Sequence, residues 1–517
     1  MIRPPKPTPP KGELSEMEKD PLSVKLEVDS FDGKIHVEWE PEASVTPMGQ
    51  LPFFIQFLKT GHRFEPWIND CPLTYKSPNA PQKVDVIGSL MLSILSGHKR
   101  YAHIGTIIGD KVNAQLLGMK KIVSDDSARR GLKKIDEDEG VEWMQKHLHL
   151  CFDPLLTIPW IMDVDVTVKT IYGHQEGAVN GYNPHKKGRP SHTYHSYMMA
   201  NLKLILEVEV RPGNQSQSKY SLPGLMELLN RLPKCCWPEF VRGDCDWGSD
   251  RVMSELEDAG CHYLFKMKKH DNVKKAIGNA HCSGGWVKYD NHWEGKESVI
   301  KLSGWKKERR IIIVRRRRPE NEIPMLEKGI KERQQTLALI EEPENIKAYE
   351  YSVLVTSLDN DIVSIINHYR NRADCENNFD EIKNQWGWGG YVTKDMARCR
   401  MLARMVALVY NWWTLYVRLS NPESHKESIT SRPLLMSSIG KLTHSGNQKK
   451  IKLTSQHRWM YKIAKLQSEL CDFFDSIKSI APQLTPINAW CRILTKAVSK
   501  FLKKGQVITM QPLIGSG

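Results

Sequence analysis

The chain of 517 residues predicts an α/β fold, with a mixed-sheet core, a β-rich interruption of that core, and mainly helical regions on either side. Three observations lead there. From Leu51 to about Leu150, apolar residues cluster at helical spacing (51–58, 84–95 and 101–108). Between 156 and 268 the pattern turns to β-branched, strand-like runs separated by two helical segments. A charged helix then follows a second group of strand-like pieces, near 361–383.

Taken in order, residues 1–45 read as a disordered Pro/Lys/Glu-rich arm followed by a small hairpin. Val24, Leu26 and Val28 alternate, Asp32-Gly33 supplies a turn, and Ile35, Val37 and Trp39 alternate again. Residues 46–150 form the helical region. Its segment SDDSARRGLKKI (124–135) sets Arg129 beside Lys133 and Arg130 beside Lys134, as in a short basic recognition helix. The core begins at 151–269. Its expected strands are LTIPWIMDVDVTV (156–168), MMANLKLILEVEV (198–210), EFVRGD (239–244) and HYLFKMK (262–268), with helices at 222–232 and 250–260 and a loop at 173–190. Residues 270–350 interrupt the core with strand-like pieces at 285–290, 297–302 and 309–315. The core resumes over 351–420, and 421–517 is a basic, helical C-terminal region.

Composition narrows the function. Lys and Arg number 74 against 60 acidic residues, a net charge of +14, which favours a polyanionic partner, nucleic acid before membrane. The 11 cysteines include no CxxC pair, which argues for reduced thiols and against a zinc site or a disulfide framework. The N-terminus has no apolar core of a secretory signal. The longest apolar run, Met405 to Val417, is interrupted by Asn411 and is shorter than the ~18 residues of a membrane span. The expectation is a soluble cytoplasmic protein without a membrane partner.

The helix at 361–383 carries Tyr369, Arg372, Glu376 and Lys383 at offsets of 3, 7 and 14 from the tyrosine. On one continuous helix these fall within a sector of roughly 60°. A carboxylate framed by cations suits a metal ligand beside a phosphodiester. Two upstream aspartate pairs supply further carboxylates. Asp163 and Asp165 share one face of an apolar strand, where an acid needs a partner or a metal. Asp244 ends the strand EFVRGD (239–244), and Asp246 lies two residues beyond it. Phosphodiester cleavage needs an activated nucleophile and a stabilised oxyanion leaving group. Two Mg2+ ions, for which Mn2+ substitutes, supply both when carboxylates from separate elements hold them.

The spacing Tyr-x2-Arg-x3-Glu-x6-Lys resembles the Tyr-Arg-Glu-Lys signature of insertion-sequence DDE transposases, and the resemblance covers roughly residues 150–420. It implies an RNase H-like core with a mainly β insertion. It also implies a catalytic, metal-binding trio: Asp165, which stands in the family's Asp-x-Thr context, Asp244 in its Arg-x-Asp context, and Glu376. Asp163, Asp246 and Asp380 are the rivals. Cys245-Asp246-Trp247 departs from the small residue and aromatic that the family commonly has there. The resemblance further implies a bacterial, nucleoid-associated homodimer. Such a protein binds double-stranded inverted-repeat ends, cuts them and joins the 3′ ends to target DNA. A related nuclease without strand transfer and a catalytically silent DNA-binding derivative are the alternatives.

Expected DNA contacts are Tyr369, Arg372 and Lys383 near the cut, Lys186, Lys187 and Arg189 in the loop after the first core strand, and Arg129, Arg130 and Lys133 in the helical region. In the interruption, Arg315 and Arg316 belong to a dense basic run, and Trp286, Trp293 and Trp305 are candidates for base stacking. His174, His185, His192 and His195 are too irregularly spaced for zinc.

Overall fold

The computed structural model describes residues 26–40, 42–184, 186–319, 346–388, 390–391, 393–420, 425–455, 459–480 and 483–509. The side chains of Lys347, Asp374, Cys375 and Glu376 lie outside that description. The expected arm at 1–20 and His185 also fall outside it.

The N-terminal hairpin, β1 (Leu26–Ser30) and β2 (Gly33–Val37), leaves Leu26, Val28, Ile35 and Val37 exposed. A short strand, β3 (Val45–Thr46), leads into α1 (Leu51–Thr60), α2 (Phe64–Asp70), α3 (Lys83–Leu95), α4 (Lys111–Leu116), α5 (Asp125–Leu132) and α6 (Glu137–Phe152). Asp110, Ser124 and Asp136 cap α4, α5 and α6 by accepting first-turn backbone N–H bonds.

The core then runs β4 (Ile161–Thr170), β5 (Val179–Asn180), β6 (Pro190–Met199), β7 (Leu204–Pro212), α7 (Ser218–Asn230), β8 (Phe240–Gly243), α8 (Asp250–Asp258) and β9 (Tyr263–Lys266). The interruption contributes α9 (Asp271–Cys282), β10 (Val287–Lys288), β11 (Trp293–Ile300) and β12 (Arg309–Arg317), and β13 (Tyr349–Thr356) returns. Next come α10 (Ile362–Arg370), α11 (Ala373–Gln385) and α12 (Met396–Ser420). The C-terminal region holds α13 (Ser428–Leu435), β14 (Gly440–Ser445), β15 (Gln448–Leu453), α14 (Met460–Ser479) and α15 (Pro486–Ala497). This region was expected to be mostly helical, and the hairpin β14–β15 is an addition to that expectation.

One mixed sheet of ten strands organises the described residues, in the order β10-β11-β12-β13-β9-β8-β4-β6-β5, with β7 also paired to β6. β4 runs parallel to β8 and β8 parallel to β9, and the remaining neighbours are antiparallel. The interruption is therefore continuous with the core sheet, because β12 pairs β13 along seven residues. Both faces of this part are covered. Ile311 and Ile313 join the main core, while Ile312 and Val314 pack with Phe240, Ile365 and Ile366 beneath α10. Burial on both sides explains the unbroken apolar run IIIV at 311–314.

β6 was not foreseen in full, since 173–190 read as loop and 198–210 as the next strand. Its residues PSHTYHSYMM are nearly all buried, so His192, Thr193, His195 and Ser196 sit inside the sheet and mask its apolar pattern. The imidazoles are engaged locally, His192 with the Glu176 carbonyl at 2.8 Å and His195 with the Ser221 hydroxyl. Burial pulls the His195 imidazole down to about 3, so it stays neutral.

Helix α12 is the centre of the helical layers, buried over nearly its whole length against β7, α6, α1 and α3. Phe54 of α1 packs on Trp413 and Tyr416, and Trp67 of α2 meets Trp412 edge-on and stacks on Trp143 of α6. Inside this apolar layer, the Asn411 carboxamide accepts from the Ile205 N–H at 2.8 Å and donates to the Ile205 carbonyl at 2.7 Å. It thus satisfies both backbone groups of Ile205 in β7, whose far side has no strand partner among the described residues. Asn411→Leu removes both bonds and leaves two buried backbone groups unpaired, at about 1–3 kcal/mol each. The variant should lose about 2–4 kcal/mol in urea unfolding, and a loss below about 0.5 kcal/mol would mean that β7 does not depend on this side chain.

Candidate active site

The site grows from one face of β4 and β8. Parallel pairing sets Ile161 opposite Phe240 and Asp163 opposite Arg242, a constant offset of 79. Asp165 and Asp244 share that offset. Continuing the register by two residues brings them side by side on the same face, where neighbouring strands lie about 4.8 Å apart. The face changes character along its length. Ile161 and Phe240 join the apolar cluster under α10, Asp163 and Arg242 form a buried ion pair, and Asp165 and Asp244 are half-buried at the open end.

The Asp163–Arg242 pair is bidentate, at 2.5 and 2.6 Å, with side chains 1% and 2% exposed. The same guanidinium donates to the His368 carbonyl in the last turn of α10. That carbonyl is the acceptor a continuous helix would offer to the N–H of residue 372. The Arg372 N–H bonds the Tyr369 carbonyl instead, at 3.0 Å. The single helix expected over 361–383 is accordingly two, α10 and α11, which meet at Asn371–Arg372. Tyr369, Arg372, Glu376 and Lys383 therefore do not share the face of one straight helix as expected, and the break aims Arg372 at Asp165.

Arg372 lies 3.1 Å from the Asp165 carboxylate, with its own side chain 6% exposed. Burial disfavours its charge, but Asp165 first, then Tyr369, Asp163 and Asp244, outweigh that and hold the guanidinium above its usual value. Arg372 is thus the cation shared by the aspartates. Tyr369 is half-buried against the apolar cluster under α10. Glu376 lies in the first turn of α11, and its side chain is outside the described residues. Asp380, exposed on α11, accepts from Asn384 at 2.6 Å.

Beyond Asp244 opens a cleft of about 500 Å³ lined by Thr167, Tyr182, Asp244, Asp246, Lys268 and Lys383. A larger groove of about 1030 Å³ lies among α1, α2 and α3, away from these carboxylates. Asp246 is committed elsewhere, accepting from the Ser218 N–H at the start of α7 (2.6 Å) and from Lys268 (2.8 Å). Although burial opposes it, these bonds hold its carboxyl below the usual range. Asp244 accepts from the Asp246 N–H at 2.9 Å and faces the cleft. Oxygen donors from two aspartates on adjacent strands suit a hard divalent cation. Among the described residues no group of three or more metal-ligating side chains is assembled.

Farther along the same face of β4, buried Lys169 donates to the Gly390 carbonyl at 2.5 Å and tethers the segment that follows α11. Gly390 abuts the main chain at Lys99, where a Cβ would lie 1.6 Å from the Lys99 carbonyl oxygen, and the Tyr391 N–H bonds that carbonyl at 2.7 Å. Sequence reasoning did not single out Lys169, although a lysine two residues beyond Thr167 on so apolar a strand was a visible signal.

The other expected contacts are spread out. Lys186, Lys187 and Arg189 are exposed in the loop that borders the cleft through Tyr182 and Pro184. Arg129 and Arg130 pair with Asp125 and Asp126 along α5, and Lys133 is exposed just past its end. In β12, Arg315 pairs with Glu294 and lies 3.9 Å over Trp286, while Arg316 pairs with Glu350 and lies 5.3 Å over Trp293. Cross-strand partners therefore meet charges that in sequence read as an unbroken basic run. Trp293 also meets Arg370, at 5.2 Å, whereas Trp305 is buried against the core.

Two predictions separate structural from exposed groups. Asp163→Asn leaves Arg242 buried without its counter-ion and should cost about 3–5 kcal/mol in urea unfolding. Asp165→Asn should cost less, because Arg372 retains the other aspartates; equal losses would contradict this division. Burial lowers the Lys169 ammonium from its ordinary 10.5 to about 8. Between those values the unfolded chain binds more protons than the folded one, so stability rises with pH across that window. The Lys169 contribution to the rise is on the order of 3 kcal/mol. Lys169→Met should flatten it, and an unchanged slope between pH 8 and 10 would overturn the assignment.

No curated protein sequence matches the chain. Among solved structures it is similar to a piggyBac transposase in a synaptic complex with hairpin DNA, with a TM-score of 0.39 and 10% identity. The similarity covers 89% of this chain and 86% of that one. Residues 82–472 match the family described as transposase DDE domain group 1. Over most of its length, and across both the β4–β8 carboxylates and the α10–α11 junction, this chain belongs to the DDE transposases.

Proposed function

We propose that this protein is a transposase of the Tyr-Arg-Glu-Lys group that cuts double-stranded DNA at the inverted-repeat ends of its element and joins the 3′ ends to target DNA. In this reading Asp165, Asp244 and Glu376 are the catalytic carboxylates of an RNase H-like core. The observation that carries it is the shared offset of Asp165 and Asp244 on adjacent parallel strands, with Arg372 of the α10–α11 junction against them. The strand order β7-β6-β4-β8-β9, three antiparallel strands followed by two parallel ones, supports the same reading.

The oxygen donors of Asp165 and Asp244 suit hard Mg2+ or Mn2+, and together with Glu376 they would hold a pair of ions that would supply activation of water or a 3′ hydroxyl and charge stabilisation at the departing oxygen. The rest is done by the chain. Arg372, oriented by the break at Asn371, balances the carboxylates and offers donors to a phosphate that approaches Asp165. Lys383 lines the cleft with Asp244 and attracts the backbone of the scissile strand, whereas Lys268 is engaged by Asp246. Lys186, Lys187 and Arg189 extend that attraction along the bordering loop. Asp163 and Arg242 act as positioning residues, because their ion pair fixes the register of β4 against β8 and the end of α10. The paired ends are bridged by a homodimer.

The test is metal-dependent cleavage of DNA that carries the flanks of the gene, comparing the wild type with Asp165→Ala, Asp244→Ala and Glu376→Ala. Each variant should lose cleavage by more than roughly a hundredfold, the upper end for loss of an outer-shell partner, and should still bind DNA. An active variant would transfer the role to its neighbour Asp163, Asp246 or Asp380. A wild type that binds but never cuts with Mg2+ or Mn2+ would end the enzyme reading.

A further inference from the structure

The stretch from Ser428 to Ser468 contains eight Lys and Arg residues and no Asp or Glu. Its centre is the hairpin β14–β15, closed by Gly446 at φ +56°. Paired residues of an antiparallel ladder share a face. The register Lys441↔Lys452, Thr443↔Lys450 and Ser445↔Gln448 therefore gives one face made of three lysines and three small or amide side chains. Lys441, Lys450 and Lys452 are exposed, and so is Lys449 beside the tip. Among the described residues, none of these four ammonium groups has an ion pair or a hydrogen bond. This contrasts with Arg315 and Arg316, whose charges are met by Glu294 and Glu350.

The opposite face anchors the hairpin. Leu442 is 6% exposed, and β14 pairs with β3 at Thr46 and Val45. Gly49 sits so close to the hairpin base that a Cβ there would lie 2.7 Å from the Ser438 carbonyl oxygen and 2.8 Å from Leu453. Thr46 donates to Asp110 at 2.6 Å, and Asp110 caps α4. The ribbon is thus fixed to the helical region at its base, with a bare cationic face. Six residues per strand give a projection of about 20 Å, and the major groove of duplex DNA, about 12 Å wide, admits a two-stranded ribbon.

We propose that the hairpin Gly440–Leu453 is a second duplex-DNA-binding element, separate from the carboxylate cleft, whose lysines contact phosphates. The inference rests on the reading of DNA as the partner, and charge complementarity selects that occupant. It assigns a DNA contact to a region that sequence reasoning treated only as a basic helical tail.

The test is binding of the full chain to a 30-base-pair duplex of arbitrary sequence, by fluorescence anisotropy in EDTA so that cleavage plays no part. Each phosphate contact adds about 0.9 to the salt slope of binding. The variant K441Q/K449Q/K450Q/K452Q should bind roughly 10- to 100-fold more weakly near 0.1 M salt, with the slope reduced by about 3. The milder K450Q/K452Q serves if the fourfold variant does not fold, and arginine at the same positions should preserve binding. Unchanged affinity and slope, with wild type bound, would overturn the hairpin assignment and leave the transposase reading intact. A wild type that binds no duplex would overturn both. Aggregation of the variants with undiminished DNA binding would instead make these lysines guards of an exposed strand edge, and loss of binding only to phosphatidylserine vesicles would make the face a membrane contact. Either outcome removes the proposal.

Discussion

The buried ion pair between Asp163 and Arg242 is the constraint on which the candidate site depends. Two charges this deep in a protein do not stabilise it by attraction alone, since the cost of removing them from water is of the same order as the gain. What the pair provides is specificity. A slip of β8 by one residue would turn Arg242 to the opposite face and strand Asp163. The register that satisfies the pair also aligns Asp165 with Asp244. A third donor of the guanidinium takes the His368 carbonyl and so ends α10 where Arg372 can turn inwards. Strand alignment, helix termination and the placement of Arg372 share one cause.

Much of this was legible in the sequence, for definite reasons. Asp165 stood out as an acid within a largely apolar, β-branched run and by its Asp-x-Thr context, and Asp244 by its place at the end of a strand-like run in an Arg-x-Asp context. The single helix expected to carry Tyr369, Arg372, Glu376 and Lys383 is instead two, α10 and α11. A helical wheel counts only bonds inside its own helix, and the competing donor, Arg242, lies 126 residues earlier. β6 escaped notice because its buried positions are filled by His, Thr and Ser that bond one another and nearby backbone, which periodicity registers as polar.

The basic residues show the same limit. Arg315 and Arg316 read as a free cationic run, but their neighbours across the ladder are Glu294 on one side and Glu350 on the other, and no local pattern reveals cross-strand partners. The lysines of β14–β15 drew less attention, being fewer per residue, yet they face no described carboxylate. Whether a charge is available to a ligand is decided by pairing in space, and density along the chain is a poor guide to it.

The distance in sequence between Asp165 and Arg372, 207 residues, has a consequence for the newly made chain. Both central strands of the site leave the ribosome long before the junction that supplies Arg372 and α11. Contacts of such separation form late, after the loop entropy between them has been overcome. A truncated or half-synthesised chain can carry β4 and β8 but cannot carry the arginine that balances them or the glutamate of α11. The carboxylate face of β4 and β8 thus lacks its counter-charge until translation has passed the α10–α11 junction.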